Sequence, residues 1–404
     1  MKNPVLPENI VQIINELNKN GFEAFAVGGC VRDIILGKTP DDYDVTTNAR
    51  PEEIKKVFSH LKTIDTGIKH GTVTVVNGGS FVEVTTYRID GEYKDNRRPE
   101  KVTFSKKLAD DLSRRDFTIN ALAYNDDLGF VDCFGGKKDI ENKIIRCVGN
   151  SEKRFNEDAL RILRAIRFSS VLGFSLETET EKAVHRFSSL LCNISKERIL
   201  SEFKKLLCGD DSLRVLISFR DVMELILPPL KKLSDEQYRI SANMAASVMG
   251  DFSLKLSALM YFAPLDEVSP ALKDLRCDKE TIASVDRILS CREASLVDSE
   301  KKALLLLYSY DKNILSYLEL KHICAGICNN NPEAVLREIE FIQKALQSKK
   351  AYKISHLDIN GNDLIENNLA MGSDIGRLLE EILMDVIFER VENNKADILK
   401  HLEK

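Results

Sequence analysis

One stretch constrains this chain more than any other: residues 26–46, AVGGCVRDIILGKTPDDYDVT. Its pattern predicts a short apolar strand from Glu23 to Val27, the pair Gly28-Gly29, then a helical turn from Val31 to Leu36 that Gly37 and Pro40 stop. The chain then re-enters a strand carrying Asp42 and Asp44, whose side chains, two residues apart, share one face. Like charges so placed repel unless a cation lies between them, which reads as a site for a hard ion such as Mg²⁺. A diglycine at a helix start offers backbone N–H groups to an anion, and Arg32 adds a fixed cation. Each part alone has a plainer reading: a tight turn, a solvated strand end, or an Arg32–Asp33 surface pair. Together in one strand–helix–strand unit they point to a metal–triphosphate site.

At 404 residues the chain exceeds one ordinary domain, so further packed units are expected around that site. With 43% hydrophobic and 30% charged residues it reads as globular, and no apolar run reaches the ~20 residues of a membrane helix. The N-terminus MKNPVLPENI lacks a signal-peptide core, so a cytoplasmic location is expected. The nine cysteines form no CxxC pair and read as free thiols, Cys324 and Cys328 included. A net charge of −5 excludes a uniformly basic surface but leaves room for a local basic groove.

Along the chain, Asn9–Leu17 reads as an amphipathic helix ended by Asn20-Gly21, and Pro51 opens another. Thr72–Val76 and Phe81–Thr86 read as strands of a hairpin around Asn77-Gly78-Gly79, with Glu83 pointing outward from the second. Residues 87–99 (YRIDGEYKDNRRP) read as a polar surface loop. Leu112–Tyr124 (LSRRDFTINALAY) is predicted as a helix bearing Arg114, Arg115 and Asp116. Arg154–Leu172 is predicted as another, with Asp158, Arg161, Arg164 and Arg167 three apart along one face. One Asp–Arg pair would be only a solvated ion pair, but three arginines behind a carboxylate make a cationic stripe suited to a phosphate or base. Beyond Gly173 the pattern is helix after helix, without repeats.

These strings resemble the bacterial class II tRNA nucleotidyltransferase and poly(A) polymerase family. Gly-Gly-Cys-Val-Arg-Asp with Asp42-Tyr43-Asp44 matches its diglycine and metal motif, and Arg-Arg-Asp-Phe-Thr-Ile-Asn-Ala its sugar and triphosphate motif. Glu157-Asp158-Ala159-Leu160-Arg161 matches its base-selecting EDxxR, and Arg198 with Glu202 a structural motif. Residues 87–99 resemble the flexible loop of members that add a terminal A. The resemblance implies an α+β fold: a polymerase-beta-like mixed-sheet catalytic head (1–140), then a helical neck (141–208), body (209–320) and tRNA-binding tail (321–404). It implies catalytic Asp42, Asp44 and Glu83, with Mg²⁺ on Asp42 and Asp44. It also implies nucleotide binding by Gly28, Gly29, Arg32, Arg115, Asp116, Asn120, Asp158, Arg161, Arg164 and Arg167. Lys344, Lys349, Lys350 and Lys353 are candidates for tRNA phosphates. No His lies between His185 and His322, so the His-Asp phosphohydrolase activity of some relatives is not expected.

The implied activity is template-independent addition of CCA to tRNA 3′ ends from CTP and ATP, with tRNA and the two nucleotides as partners and no membrane. Donor and acceptor chemistry explains the base choice. Cytosine and adenine both show an amino donor beside a ring-nitrogen acceptor; an ionised Asp only accepts and an Arg only donates. Uracil and guanine present the reverse, leaving buried groups unpaired at roughly 1–3 kcal/mol each. A poly(A) polymerase, an A-adding or CC-adding relative, a small-molecule nucleotidyltransferase and an inactive RNA-binding relative stay as alternatives. The sequence assigns no oligomeric state.

Overall fold

Residues 5–91 and 102–403 are described in a computed structural model, and they divide between Ile226 and Leu227 into two units. The first is organised on β1 (Ala24–Val27), all four of whose residues are buried. A strand apolar on both faces belongs inside a covered sheet, and β1 lies between two paired neighbours. Helix α1 (Glu8–Lys19) precedes it and buries Ile10, Ile13, Ile14 and Leu17. Then come α2 (Gly29–Ile35), β2 (Asp44–Thr47), α3 (Pro51–Val57), β3 (Lys62–Gly67), β4 (Thr72–Asn77) and β5 (Ser80–Thr86). A small pair, β6 (Arg88–Asp90) and β7 (Val102–Phe104), is followed by α4 (Leu108–Ser113) and a 3₁₀ turn at Thr118–Asn120. β8 (Leu122–Asn125), β9 (Gly129–Asp132) and α5 (Gly136–Glu141) complete this part.

Seven strands form one mixed sheet in the order β3-β4-β5-β2-β1-β8-β9. β2 pairs antiparallel with β1 and parallel with β5, and the register sets Asp44 opposite both Val27 and Glu83. Phe25, Val27, Tyr87, Leu112, Ala121, Ala123 and Val148 form a core against it. Helices α6 (Ser151–Glu157), α7 (Leu160–Leu172), α8 (Thr178–Phe187), α9 (Lys196–Leu207), α10 (Ser212–Ser218) and α11 (Arg220–Ile226) follow. This is the expected α+β arrangement, a mixed-sheet head continued by helices.

The second unit is helical among its described residues, running from a helix at Asp235–Ser247 to one at Lys395–Leu402. Ile359, Leu364, Leu379, Ile382 and Ile398 pack together near its end. Two of the candidate phosphate lysines are engaged by acids: Lys350 by Glu300 and Glu389, Lys353 by Asp311. No described helix is long and apolar enough to cross a membrane.

Four local expectations need correction. Asp42 and Asp44 do not share a strand. β2 starts at Asp44 because β1 ends at the paired Val27, where Gly28 at φ +85° turns the chain away, so Asp42 has no strand to pair with. Leu112–Tyr124 is not one helix but the end of α4, a 3₁₀ turn and β8. Every residue from Asp116 to Asn125 is buried, so the segment is covered on all sides rather than along the single stripe of an amphipathic helix. Arg154–Leu172 is broken at Asp158 (φ −138°, ψ 104°), whose carboxylate accepts the Leu160 N–H at 3.1 Å and so competes with the helix. The predicted polar loop begins with a fully buried Tyr87 and strand β6; its residues 92–99 lie outside the described residues.

Candidate active site

Gly28 and Asp44 are the two ends of a strand pair, and the sheet brings Glu83 beside them. Asp44, Glu83, Thr72, Thr85, Arg88, Arg114 and Arg115 line a depression of about 240 Å³, floored by Val27 and Val45. Arg115 enters from the segment after α4. Its Nη1 stands 2.7 Å from where a Cβ on Gly28 would be, so the bare glycine makes room for the guanidinium. The Arg115 Nε is buried without a hydrogen-bond partner, and its Nη2 reaches Asp111 at 3.4 Å. A cation held with a donor unspent, beside a glycine turn, is a site prepared for an anion.

The Asp44 carboxylate reaches solvent yet is crowded by protein. That crowding pushes its pKa up to about 6; Arg115 opposes the shift, while Asp42 and Glu83 add to it. Among the described residues no group of three or more His, Cys, Asp or Glu is placed to hold a metal ion. The carboxylates of Asp42 and Asp44 nevertheless suit a hard divalent ion, which commonly takes one or two protein carboxylates and completes its shell with water and substrate phosphates.

A second array runs from α2 to α7. Arg32 donates to both Asp33 oxygens at 2.8 and 2.9 Å and to Asn120 Oδ1 at 2.7 Å. Asn120 Nδ2 donates to Asp116 Oδ1 at 3.1 Å, and Asp116 Oδ2 accepts Arg164 Nε and Nη2 at 2.9 and 2.7 Å. Burial alone would raise the Asp116 carboxyl, but Arg164 and Asn120 outweigh it and hold it well below the usual range. Arg167 and Glu202 approach to 2.6 Å at the far end. The ring of Phe168 lies under the Arg32, Arg164 and Arg167 guanidiniums at 4.9, 5.4 and 3.9 Å.

The candidate base readers lie off the depression but within electrostatic reach of the second array. Each is engaged by other side chains. Asp158 Oδ2 accepts Arg198 Nη2 at 3.1 Å, while Arg161 donates to Glu157 at 2.7 Å and to the carbonyls of Arg154 and Arg114. Neither lines the depression around Asp44. The link is the run 114–116: Arg114 lines the depression and its carbonyl holds Arg161, Arg115 faces Gly28, and Asp116 binds Arg164.

Sequence reasoning passed over two residues here. Asp111 is a fully buried acid under Arg114 and Arg115, though its spacing of three and four from them was a usable signal. Phe168, whose ring carries three guanidiniums, sits among apolar helix residues that give no such signal. The Arg198 contact to Asp158 joins residues forty positions apart, and nothing local announces it.

Family models match most of the chain: Poly A polymerase head domain over residues 24–146, Probable RNA and SrmB-binding site of polymerase A over 173–232, and tRNA nucleotidyltransferase domain 2 over 253–402. The CCA-adding enzyme of Lactobacillus helveticus is 38% identical over 392 residues, covering 97% of this chain and 95% of that protein. That of Geobacillus thermodenitrificans is 52% identical over 187 residues, 46% of each. Among solved structures, the Bacillus stearothermophilus CCA-adding enzyme in complex with CTP superposes with a TM-score of 0.77 at 32% identity, covering 100% of this chain and 98% of that one. The Lactobacillus helveticus protein and the Bacillus stearothermophilus structure are matched along almost their whole length, and the chain belongs to the CCA-adding enzyme family.

Proposed function

We propose that this chain is a tRNA nucleotidyltransferase that adds C, C and A to tRNA 3′ ends from CTP and ATP, releasing pyrophosphate and using no nucleic-acid template. The observation that carries the reading is the joining of two chemistries by residues 114–116: carboxylates and an unspent arginine donor on one side, an Asp and Arg pair of opposite hydrogen-bonding sense on the other. Nucleotidyltransferases of this kind use a divalent metal, which we take to be Mg²⁺ on Asp42 and Asp44. When bound, it supplies charge at the α-phosphate and acidifies the attacking 3′-hydroxyl. Glu83, level with Asp44 across β2 and β5, adds a third negative group to that cluster.

Gly28, Gly29 and Arg115 receive the triphosphate, with Arg32 and Asn120 holding the wall behind it. Asp116 fixes Arg164, and through it α7, against this wall. Asp158 accepts the amino group of C or A. A carboxylate has about four acceptor positions, so its bonds to Arg198 and the Leu160 N–H leave it able to do so. Arg161 donates to the ring nitrogen after turning a donor away from Glu157 or the Arg114 carbonyl. Arg164 and Arg167 support that face. The divisions 1–140, 141–208, 209–320 and 321–404 serve as head, neck, body and tRNA-binding tail. Nine free cysteines suit a reducing compartment, taken to be the cytoplasm.

Incubating the protein with tRNA lacking its 3′ end, with CTP and ATP separately and together, tests this. Growth by three nucleotides that then stops supports CCA addition. Unlimited A addition selects poly(A) polymerase, the second reading, which the head-domain match favours.

A further inference from the structure

Asp111 lies beneath the active-site floor with none of its side chain exposed. Its Oδ1 accepts Arg114 Nε and Nη2 at 3.0 and 2.7 Å, and its Oδ2 accepts Arg115 Nη2 at 3.4 Å and Thr46 Oγ1 at 3.3 Å. Thr46 is two residues from Asp44 on β2, so the same carboxylate touches the strand that presents the catalytic acid. Arg114 also approaches Asp90 on β6 at 4.0 Å. Burial alone would keep Asp111 neutral, yet the two guanidiniums beside it hold it ionised. An ionised acid without exposure is retained where its partners need it.

We propose that Asp111 is the positioning residue for Arg115, steering that guanidinium to Gly28 and Asp44 so that it meets the incoming triphosphate. The inference rests on the reading of Arg115 as a phosphate ligand. Arg115 has an unpartnered Nε, its Nη1 lies against Gly28, and Asp111 is the acid that its Nη2 reaches. An asparagine at 111 has one acceptor oxygen, which the shorter Arg114 contacts would claim. Its amide N–H₂ would then face Arg115 Nη2, donor against donor. Arg115 would keep its charge and lose its direction.

The test is a double-mutant cycle on the full chain, reading CTP affinity by calorimetry with MgCl₂ and without tRNA. Asp111→Asn is expected to weaken CTP binding about tenfold and Arg115→Ala at least as much. The double variant should be no weaker than Arg115→Ala alone. In turnover, Asp111→Asn should raise KM for CTP and ATP more than it lowers kcat. Additive losses overturn the proposal, because Asp111 would then act through the fold at large. Unchanged CTP affinity in Asp111→Asn beside a loss in Arg115→Ala also overturns it and leaves the site reading standing. No loss in Arg115→Ala removes the site reading itself. Should Asp111→Asn fail to fold, Thr46→Val removes the hydroxyl from the same oxygen. A loss of about threefold that vanishes in the Arg115→Ala background supports the proposal, and one that persists there overturns it.

Discussion

Two adjacent glycines separate a steric demand from a conformational one. A Cβ on Gly136 would lie 2.2 Å from the Thr118 carbonyl oxygen and 2.9 Å from its carbon, with Leu122 Cδ2 at 3.1 Å. Thr118 is pinned from both ends, its N–H to the Arg146 carbonyl at 2.9 Å and its hydroxyl to Asp139 at 2.6 Å, so it cannot step aside freely. In Gly136→Ala the 3₁₀ turn must move by about 1 Å, and a displacement of that size can lower turnover about 10²-fold. Asn120, two residues on, would carry its bonds to Arg32 and Asp116 with it. Overpacking of about 1–3 kcal/mol and strain on two charge-assisted bonds give roughly 3 kcal/mol in all. At about 2–4 °C per kcal/mol for a unit of this size, the melting midpoint should drop by roughly 6–12 °C. Gly135 is the control: its φ is +77° and nothing lies within 4 Å of an added Cβ. Gly135→Ala should lose about 1 kcal/mol to backbone strain and keep nucleotide transfer within about twofold. Thermal melts and single-nucleotide addition assays on both variants decide the matter. Equal activities would refute the claim that the turn behind Gly136 sets the site.

Other outcomes follow from the same geometry. Asp44→Asn should abolish transfer and leave tRNA binding intact. Because the folded pKa is raised from 3.8 to about 6, wild-type stability declines as pH rises between those values. The variant should therefore melt higher than wild type at pH 7, with the gain shrinking as pH falls from about 6 to about 4. Asp116→Asn strands Arg164 and should cost about 3 kcal/mol in denaturant titrations at pH 7. Asp116 has a depressed pKa, so its contribution is present above the ordinary carboxylate range and fades in acid, and the difference between variant and wild type should narrow there. Asp158→Ala should relax discrimination against UTP and GTP more than it slows addition of C, read from misincorporation at a fixed tRNA end; unchanged selectivity would sink its role as base reader.

The interior of the sheet was legible because the run at 24–27 is apolar throughout and the strands at 72–86 flank an Asn-Gly-Gly turn. The nearness of Gly28 to Asp44 was legible too, since both lie within one short unit. Failures arose where a side chain rewrote the backbone. Asp158 takes the Leu160 N–H and breaks a helix whose apolar spacing runs straight through it. The apolar residues of 117–124 sit among enough polar neighbours to imitate a helix. β3 has the mixed sequence KTIDTG and owes its strand conformation to pairing with β4. Partner choice was the least legible: that Arg161 meets Glu157, and Arg198 meets Asp158, depends on the helix break and on packing between α7 and α9.

Each arginine on α7 lies against an acid: Arg161 against Glu157, which Arg154 shares, Arg164 against Asp116 and Glu202, and Arg167 against Glu202. Such a helix projects little field into solution, whatever its count of cations. Capture of a polyanionic tRNA must therefore draw on other surfaces, and raising ionic strength should loosen that capture while fidelity stays level. Recognition of the incoming nucleotide and attraction of the RNA are, in this arrangement, separately adjustable properties.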